Sequence, residues 1–193
     1  MSTNHTILFY SFVDEQKLDL DIKDLKDFSY FVKEHDAGRV ISNVGGWQSN
    51  NLDIKIPELI PLVSKIFENT ERLILKYNLP KKYKIDPLWI NINGKKDFNQ
   101  YHEHPRSILS GVFYVSAPKD CGSLIMVNPM TSHQHYIDPT KIEKFNKFNS
   151  YSWPCDPEDN KLIMFPAWMP HFTLPNNSLE DRISIAFNIY CGD

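Results

Sequence analysis

The sequence predicts a mainly β fold with α-helices near the N-terminus. Apolar residues recur at helical spacing in the first 80 residues, and from Leu88 onward they alternate with polar residues, as in strands that bury one face. Because helices and strands occupy separate parts of the chain, the pattern favours a curved antiparallel sheet or barrel packed on helices over a doubly wound parallel fold.

The N-terminal part predicts one strand and two helices. Residues 7–13 are rich in β-branched and aromatic side chains, which indicates a strand. Residues 18–32 carry apolar side chains at gaps of 4, 3, 3 and 4, which indicates an amphipathic helix. The clearest helix is 57–77, because a proline suits its first turn, one apolar stripe runs along it, and Asn78 with Pro80 ends it.

Five later stretches predict strands: 88–93, 108–115, 124–127, 162–165 and 182–190. Residues 45–49 predict a turn.

Two of these predicted strands carry polar side chains on one face. In strand 182–190, Arg182 and Ser184 lie on the face opposite the apolar one, and in strand 88–93, Asn91 and Asn93 share a face. These polar faces can line a cavity. Arginine is always charged, so Arg182 there needs an anion, either a ligand carboxylate or an acid such as Glu180.

Composition and charge exclude several classes of protein. The chain has 193 residues, 41% hydrophobic and 23% charged, which is ordinary for one globular domain and unlike a disordered, collagen-like or coiled-coil chain. The net charge of −3 argues against a nucleic-acid partner. The three widely spaced cysteines form neither a disulfide framework nor a zinc ribbon.

We expect a cytoplasmic protein without membrane contact. No apolar run reaches the ~18–20 residues of a membrane span. Residues 1–6 are polar and lack the basic start of a signal peptide. The oligomeric state stays open at this point, with a homodimer among the alternatives.

The histidines carry the strongest chemical signal. His102 and His104 form a His-x-His pair just before a proline and a predicted strand, so we expect them at a strand end, where residues i and i+2 point the same way. His133 and His135 form a second pair between two prolines, in a predicted loop. His171 follows a short strand and a proline-bounded turn. Three such side chains on one face of a metal leave positions open for a co-substrate and oxygen.

Six segments, in this order, resemble the iron(II)- and 2-oxoglutarate-dependent oxygenases. The resemblance is greatest to a prolyl-hydroxylase-like group of 2OG-Fe(II) oxygenases that carries a His-x-His-Pro segment, a Ser-Gly-aromatic-Tyr strand and a late Phe-Pro-x-Trp-x-x-His segment. It runs from about residue 40 to the C-terminus. The matching segments are 45–49, 89–93, 102–105, 110–114, 165–171 and 181–188.

The resemblance implies a double-stranded β-helix, or jelly-roll, core. It implies a single domain over 1–193, with a helical buttress and first strand in 1–80 and the jelly-roll in 85–193. The implied activity is that of a dioxygenase that uses Fe(II), 2-oxoglutarate and O2. Such an enzyme hydroxylates a substrate and decarboxylates 2-oxoglutarate to succinate. The implied substrate is a small molecule or a peptide.

The resemblance also implies the metal ligands, with one departure. His102 and the distal His171 match the family's histidines, but His104 stands where the family has an acidic ligand. Glu103 does not substitute, because neighbours on a strand point to opposite faces. Either the site uses three histidines, or His104 lies behind the metal and water completes the ligand set. Three imidazoles suit Zn, Cu or Ni as well as Fe.

The same resemblance implies the co-substrate site. Arg182 pairs with the far carboxylate of 2-oxoglutarate, and Ser184 adds a hydrogen bond to it. Tyr114, with Asn93 or Asn91, is a further pocket residue.

Two alternatives remain open in the sequence. One is a three-histidine jelly-roll metalloprotein that does not use 2-oxoglutarate. The other is a non-catalytic jelly-roll binding protein. Catalysis by a cysteine nucleophile finds little support, because Cys155 lies in a predicted loop with no identifiable histidine partner.

Overall fold

The computed structural model describes residues 11–78, 82–130 and 138–192. Within these ranges the protein is mainly β, with antiparallel sheets and two α-helices. Residues 7–10 of the predicted first strand lie outside the described residues, as do Pro80, His133 and His135. Residues 11–13 of that prediction are wrong, because they form no strand and the first strand begins at Asp14.

The two helices begin and end at local signals. Helix α1, Ile22–His35, begins after Asp21, whose side chain accepts hydrogen bonds from the first turn. The predicted start at residue 18 is wrong, because the Leu18 amide bonds instead to the carbonyl of Asn160. A 3-10 turn, Pro57–Leu59, leads into helix α2, Ile60–Tyr77. Helix α2 ends as predicted at Asn78, which is left-handed (φ 52°).

The described part of the chain contains eleven strands in three sheets. The six-stranded sheet has the order β1-β9-β6-β11-β4-β3, the second sheet the order β10-β7-β8, and β2 pairs with β5. The strands are β1 Asp14–Lys17, β2 Asn43–Val44, β3 Trp47–Gln48, β4 Tyr83–Asn93, β5 Phe98–Asn99, β6 Leu109–Ser116, β7 Leu124–Val127, β8 Ser152–Cys155, β9 Lys161–Pro166, β10 His171–Thr173 and β11 Arg182–Cys191.

All five later predicted strands are present, as β4, β6, β7, β9 and β11. The predicted turn at 45–49 also contains the short strand β3. Strands β1, β2, β3, β5, β8 and β10 were not predicted, and each has four residues or fewer.

The central strand β11 separates two environments. Its apolar face, Ile183, Ile185, Phe187 and Ile189, is fully buried in a cluster that includes side chains of both helices, such as Leu25 and Leu73. Burying each such side chain contributes about 1.5–3 kcal/mol. A smaller cluster joins β6 and β9 to β7 and β8. The polar face of β11 therefore faces the space between the two larger sheets.

Among the described residues, neither helix combines the length and the apolar character needed to cross a membrane. The cytoplasmic location stays a prediction.

Candidate active site

Three histidines from distant parts of the chain meet in one cluster. A ring nitrogen of each of His102, His104 and His171 lies within 4.8 Å of those of the other two. The rings of His102 and His171 are nearest, with centroids 4.3 Å apart.

Backbone hydrogen bonds hold the three histidines together. His102 and His171 form an isolated antiparallel bridge, in which each amide donates to the other's carbonyl at 3.0 Å. The amide of His104 donates to the carbonyl of Ala167 at 3.0 Å, in the turn that follows β9. The prediction that the pair lies at a strand end is wrong in detail, because 102–104 is a loop between β5 and β6 with one bridge.

The ring orientations suit metal binding. Nδ1 of His102 lies 2.7 Å from the carbonyl of Gln100, and Nδ1 of His171 lies 2.9 Å from that of Met169. In each ring a carbonyl fixes Nδ1 as the donor, which leaves Nε2 as the free ligand atom. The cluster contains no carboxylate, and in two of its rings the hydrogen bond at Nδ1 leaves Nε2 as an uncharged nitrogen ligand for a metal.

Burial keeps these imidazoles neutral. It lowers the pKa of His102, and it lowers that of His171 to about 4, aided by nearby His102. Burial, then the neighbouring His171 and His102, lower the pKa of His104 to about 3. Neutral imidazole is the form that binds metal, and a divalent iron fits this donor set. Glu103 is exposed, as predicted for a residue excluded from the ligands.

The face of the six-stranded sheet beside the histidine cluster carries three rows of side chains, and each row consists of residues that lie opposite one another on neighbouring strands. The charged row is Asn93 and Arg182, the polar row is Asn91, Ser184 and Tyr114, and the apolar row is Trp89, Ala186 and Val112. All eight line one cavity together with the three histidines. Successive rows are two residues apart, or about 6–7 Å.

Arg182 is a buried cation without a carboxylate partner. It is 1% exposed. Its NH1 group donates to the carbonyls of Cys121 (2.6 Å) and Gly122 (3.0 Å), and its NH2 group donates to Thr173 Oγ1 (3.1 Å). No acid in the described ranges lies within ion-pair distance of it, so the alternative pairing with Glu180 is wrong. Burial lowers the pKa of Arg182, but a guanidinium stays charged at neutral pH.

The side chains of the polar row are buried, and none of them forms a hydrogen bond with another described residue. Tyr114 is 2% exposed, and burial raises the pKa of its phenol, so the hydroxyl remains a donor. Oδ1 of Asn91 and, in the charged row, Nδ2 of Asn93 are completely buried without a partner. Buried polar groups are rarely left so, which indicates a polar ligand here.

The structure brings the predicted site residues together. Ser42, Asn99 and Thr173 also line the cavity and were not predicted. Ser42 and Asn99 come from the strand pair β2–β5 and its flank, too short to give a periodic signal. Thr173 could have been found only by its position two residues after His171.

Cys155 is unsuited to be a nucleophile. It is 1% exposed, and burial raises the pKa of its thiol to about 12. A thiol at neutral pH is a weak nucleophile.

The family described as "Putative 2OG-Fe(II) oxygenase" matches residues 87–188, more than half of the chain. The chain therefore belongs to the 2OG-Fe(II) oxygenases, a family of oxidoreductases, and Fe(II) and 2-oxoglutarate are its cofactors. The sequence search of curated proteins finds no match.

Solved structures of such oxygenases share the fold at low sequence identity. A Pseudomonas putida prolyl-4-hydroxylase is 15% identical, with a TM-score of 0.60 over 94% of this chain and 93% of that one. A viral collagen prolyl hydroxylase from Paramecium Bursaria Chlorella virus-1, solved with 2OG, is 14% identical, with a TM-score of 0.61 over 92% and 94%. The non-heme alpha ketoglutarate dependent carbocyclase SnoK, from nogalamycin biosynthesis, is 14% identical, with a TM-score of 0.67 over 94% and 80%.

Proposed function

We propose that this chain is a hydroxylase that couples oxidation of a substrate to decarboxylation of 2-oxoglutarate to succinate. One observation supports the proposal most: a neutral three-histidine cluster lines the same cavity as a buried arginine that has no acidic partner among the described residues. The first suits a divalent metal and the second suits a carboxylate.

In this proposal His102, His104 and His171 are the ligands of Fe(II), and His104 replaces the family's acidic ligand. Bound iron supplies the redox chemistry that activates O2 against a C–H bond. The chain supplies orientation, because the carbonyls of Gln100 and Met169 fix two of the rings. Three neutral ligands leave the metal's charge uncompensated, which favours an anionic co-substrate.

The proposed co-substrate site consists of the charged row, Asn93 and Arg182, and two residues of the adjacent polar row, Ser184 and Tyr114. Arg182 binds the far carboxylate of 2-oxoglutarate in a pocket from which water is largely excluded, where a charge-assisted hydrogen bond is strong. Ser184 and Tyr114 present hydroxyl groups from the adjacent row, and Asn93 presents an amide beside Arg182.

For the fold, we propose that the six-stranded sheet and the sheet β10-β7-β8 are the two sheets of a double-stranded β-helix. The cluster that joins β6 and β9 to β7 and β8 supports this pairing. We also propose a single oxygenase domain over 1–193, because the helices pack on the outer face of the sheet that carries the site.

The proposed substrate is a small molecule or a peptide. Two similar structures are prolyl hydroxylases and one is a carbocyclase of nogalamycin biosynthesis. The apolar row beside His104, where the Trp89 ring lies 6.0 Å from the imidazole, suits an uncharged hydrocarbon group.

The proposal is tested by anaerobic titration with Fe(II) and then 2-oxoglutarate, followed by visible absorption. We expect a charge-transfer band that requires both additions. Arg182→Ala should bind Fe(II) normally and lose about a hundredfold in 2-oxoglutarate affinity, because a buried charge pair contributes several kcal/mol. Succinate formation in air with candidate substrates then tests hydroxylation.

Other outcomes overturn the proposal in favour of a named alternative. Metal binding without the band indicates the three-histidine metalloprotein that does not use 2-oxoglutarate. Failure to bind any divalent metal indicates the non-catalytic binding protein.

A further inference from the structure

We propose that Ser110 and Asn188 form a substrate-binding pair, which recognises a carboxamide group of the substrate. This inference rests on the proposed function and narrows its substrate class to molecules that carry an amide beside a hydrocarbon group. A carboxamide occurs in peptides and in small molecules, and the probes of the test distinguish these two sources.

The pair lies beyond the apolar row, on the side away from Arg182. Asn188 and Ser110 are opposite each other on β11 and β6, two residues past the apolar row. On its other side Ser110 is opposite Phe165 of β9, and the ring centroids of Phe165 and His171 are 4.7 Å apart. The pair is therefore close to the histidine cluster but three rows away from the arginine, where the proposed co-substrate site lies.

Both side chains of the pair are buried, although neither suits a purely structural role there. Ser110 is 2% exposed and lines the cavity that contains the histidines, and Asn188 is 6% exposed. Asparagine is disfavoured in strands, and burying a polar side chain is costly unless its hydrogen bonds are replaced. Two apolar side chains would extend the apolar row at lower cost, so the polar pair indicates a ligand.

The hydrogen bonds of the pair leave one acceptor and one donor free. The hydroxyl of Ser110 has a single proton and faces two acceptors, Asn188 Oδ1 at 2.9 Å and the carbonyl oxygen of Phe187 at 3.2 Å. Among the described residues, no group donates to Ser110 Oγ, and Asn188 Nδ2 donates to none. The pair therefore presents Oγ as an acceptor and Nδ2 as a donor.

A carboxamide complements these two atoms. Its N–H group donates to Ser110 Oγ, and its carbonyl oxygen accepts from Asn188 Nδ2. The hydrocarbon group beside the amide then lies on the apolar row, next to the histidine cluster. Ionised 2-oxoglutarate has no hydrogen-bond donor, so the free acceptor at Ser110 suits a molecule other than the co-substrate.

The test uses protein loaded with Fe(II) and 2-oxoglutarate without oxygen, and it measures the binding of four probes by calorimetry. N-acetylleucine methylamide represents a peptide and isocaproamide a small molecule, and each is compared with the corresponding methyl ester, which lacks the N–H donor. At least one amide should bind the wild type about tenfold more tightly than its ester, the contribution of one hydrogen bond. The amide that shows this preference identifies the source, and this comparison requires no variant.

Two variants assign the two hydrogen bonds. Ser110→Ala should weaken the preferred amide about tenfold and leave its ester within about twofold, because only the amide donates to Oγ. Asn188→Asp should weaken amide and ester alike by at least about tenfold, because both carry a carbonyl and the NH₂ donor is gone. The aspartate keeps an oxygen that accepts the Ser110 hydrogen bond, so this variant tests the pair even if Ser110→Ala unfolds.

Ser29→Ala is the matched control for a buried serine. Ser29 is fully buried in α1, where its hydroxyl donates to the carbonyl of Leu25 at 2.7 Å, away from the cavity. Its variant should keep the wild-type preference for the amide.

The outcomes separate this inference from the proposed function. Equal binding of amides and esters by the wild type, or binding of none of the four probes, overturns the inference. So does an amide preference that persists in Ser110→Ala. In each case the proposed function stands as long as Fe(II) and 2-oxoglutarate together give the charge-transfer band. If the wild type gives no such band, the proposed function fails and the inference fails with it.

Discussion

At the scale of the residue, the histidine cluster combines burial with ring orientation. A buried imidazole is a neutral ligand at physiological pH, and a carbonyl on Nδ1 directs Nε2 toward the metal. His171 is buried and His102 is half-buried, burial lowers the pKa of both, and both rings have this orientation. The same arrangement makes the cluster dispensable for the core, because the hydrophobic side chains of the large cluster lie on the other face of the sheet.

We predict that His171→Ala removes metal binding without unfolding the chain. One of the three proposed ligands is lost, while the bridge to His102 uses backbone atoms that alanine retains. Metal content after Fe(II) dialysis and the circular dichroism spectrum measure the two effects. His35→Ala is the control, since His35 is exposed at the end of α1. Full metal occupancy in His171→Ala would exclude it as a ligand.

Part of the site is predictable from sequence because strand alternation is local. The alternation of β11 correctly placed Arg182 and Ser184 on one face. The carbonyls that hold Arg182 could not be predicted, because Cys121 and Gly122 contribute backbone atoms, which any residue type carries. The contact between His102 and His171 also depends on one long-range bridge that has no signature in sequence.

At the scale of the element, the loop between β6 and β7 positions the arginine. Gly122 has a φ of +86°, and a Cβ there would meet the carbonyl oxygen of Leu174 at 2.3 Å. Leu174 itself accepts a hydrogen bond from Arg182. A glycine at this position lets the loop approach the segment after β10 closely enough for both to bind one guanidinium.

We predict that Gly122→Ala weakens 2-oxoglutarate binding and leaves Fe(II) binding intact. The added methyl group must push apart the Gly122 loop and the segment after β10, which both hold Arg182, whereas the backbone bridge between His171 and His102 involves neither Gly122 nor Leu174. Titration of each cofactor by calorimetry measures the effect. Gly192→Ala is the matched control, because Gly192 also has a positive φ (122°) but no atom lies within 4 Å of its Cβ position. Equal 2-oxoglutarate affinity in both variants would contradict this role for the loop.

Helix α2 supports the site only through the core. Leu73 is fully buried and Leu75 is 63% exposed on the same helix. We predict that Leu73→Ala lowers the free energy of unfolding by about 2–5 kcal/mol, through lost burial and the cavity left behind. Leu75→Ala should change it by less than about 0.5 kcal/mol. Urea unfolding of both variants measures the difference, and a Leu73→Ala loss no larger than that of Leu75→Ala would argue against the packing of α2 on the sheet.

Element prediction from sequence succeeded where the segments are long. Helix α2 has a complete apolar stripe and local stop signals, and β11 alternates over its whole length. Strands β2, β3 and β5 have two residues each, which is too short for periodicity. Their pairing depends on tertiary contacts, such as that between Trp47 and Ile92.

At the scale of the whole molecule, one face of the six-stranded sheet packs in the hydrophobic core and the other face lines the candidate site. One face of β11 packs with the helices in a dry core, and the other carries the three rows. The site side holds a buried arginine without a carboxylate partner in the described ranges, and buried amide atoms of Asn91 and Asn93 without a hydrogen-bond partner there. Binding of the cofactors should therefore add to the stability that the helix-side core provides independently.

We predict that Fe(II) raises the melting temperature in anaerobic thermal unfolding. A ligand that binds only the folded state stabilises by about 2.7 kcal/mol at a hundredfold excess over its Kd, or about 5–10 °C for a chain of this size. Leu73→Ala should melt lower yet gain the same increment, because its core lies on the other face of the sheet. His171→Ala should start near wild type and gain nothing. An equal increment in His171→Ala would place metal binding elsewhere on the chain.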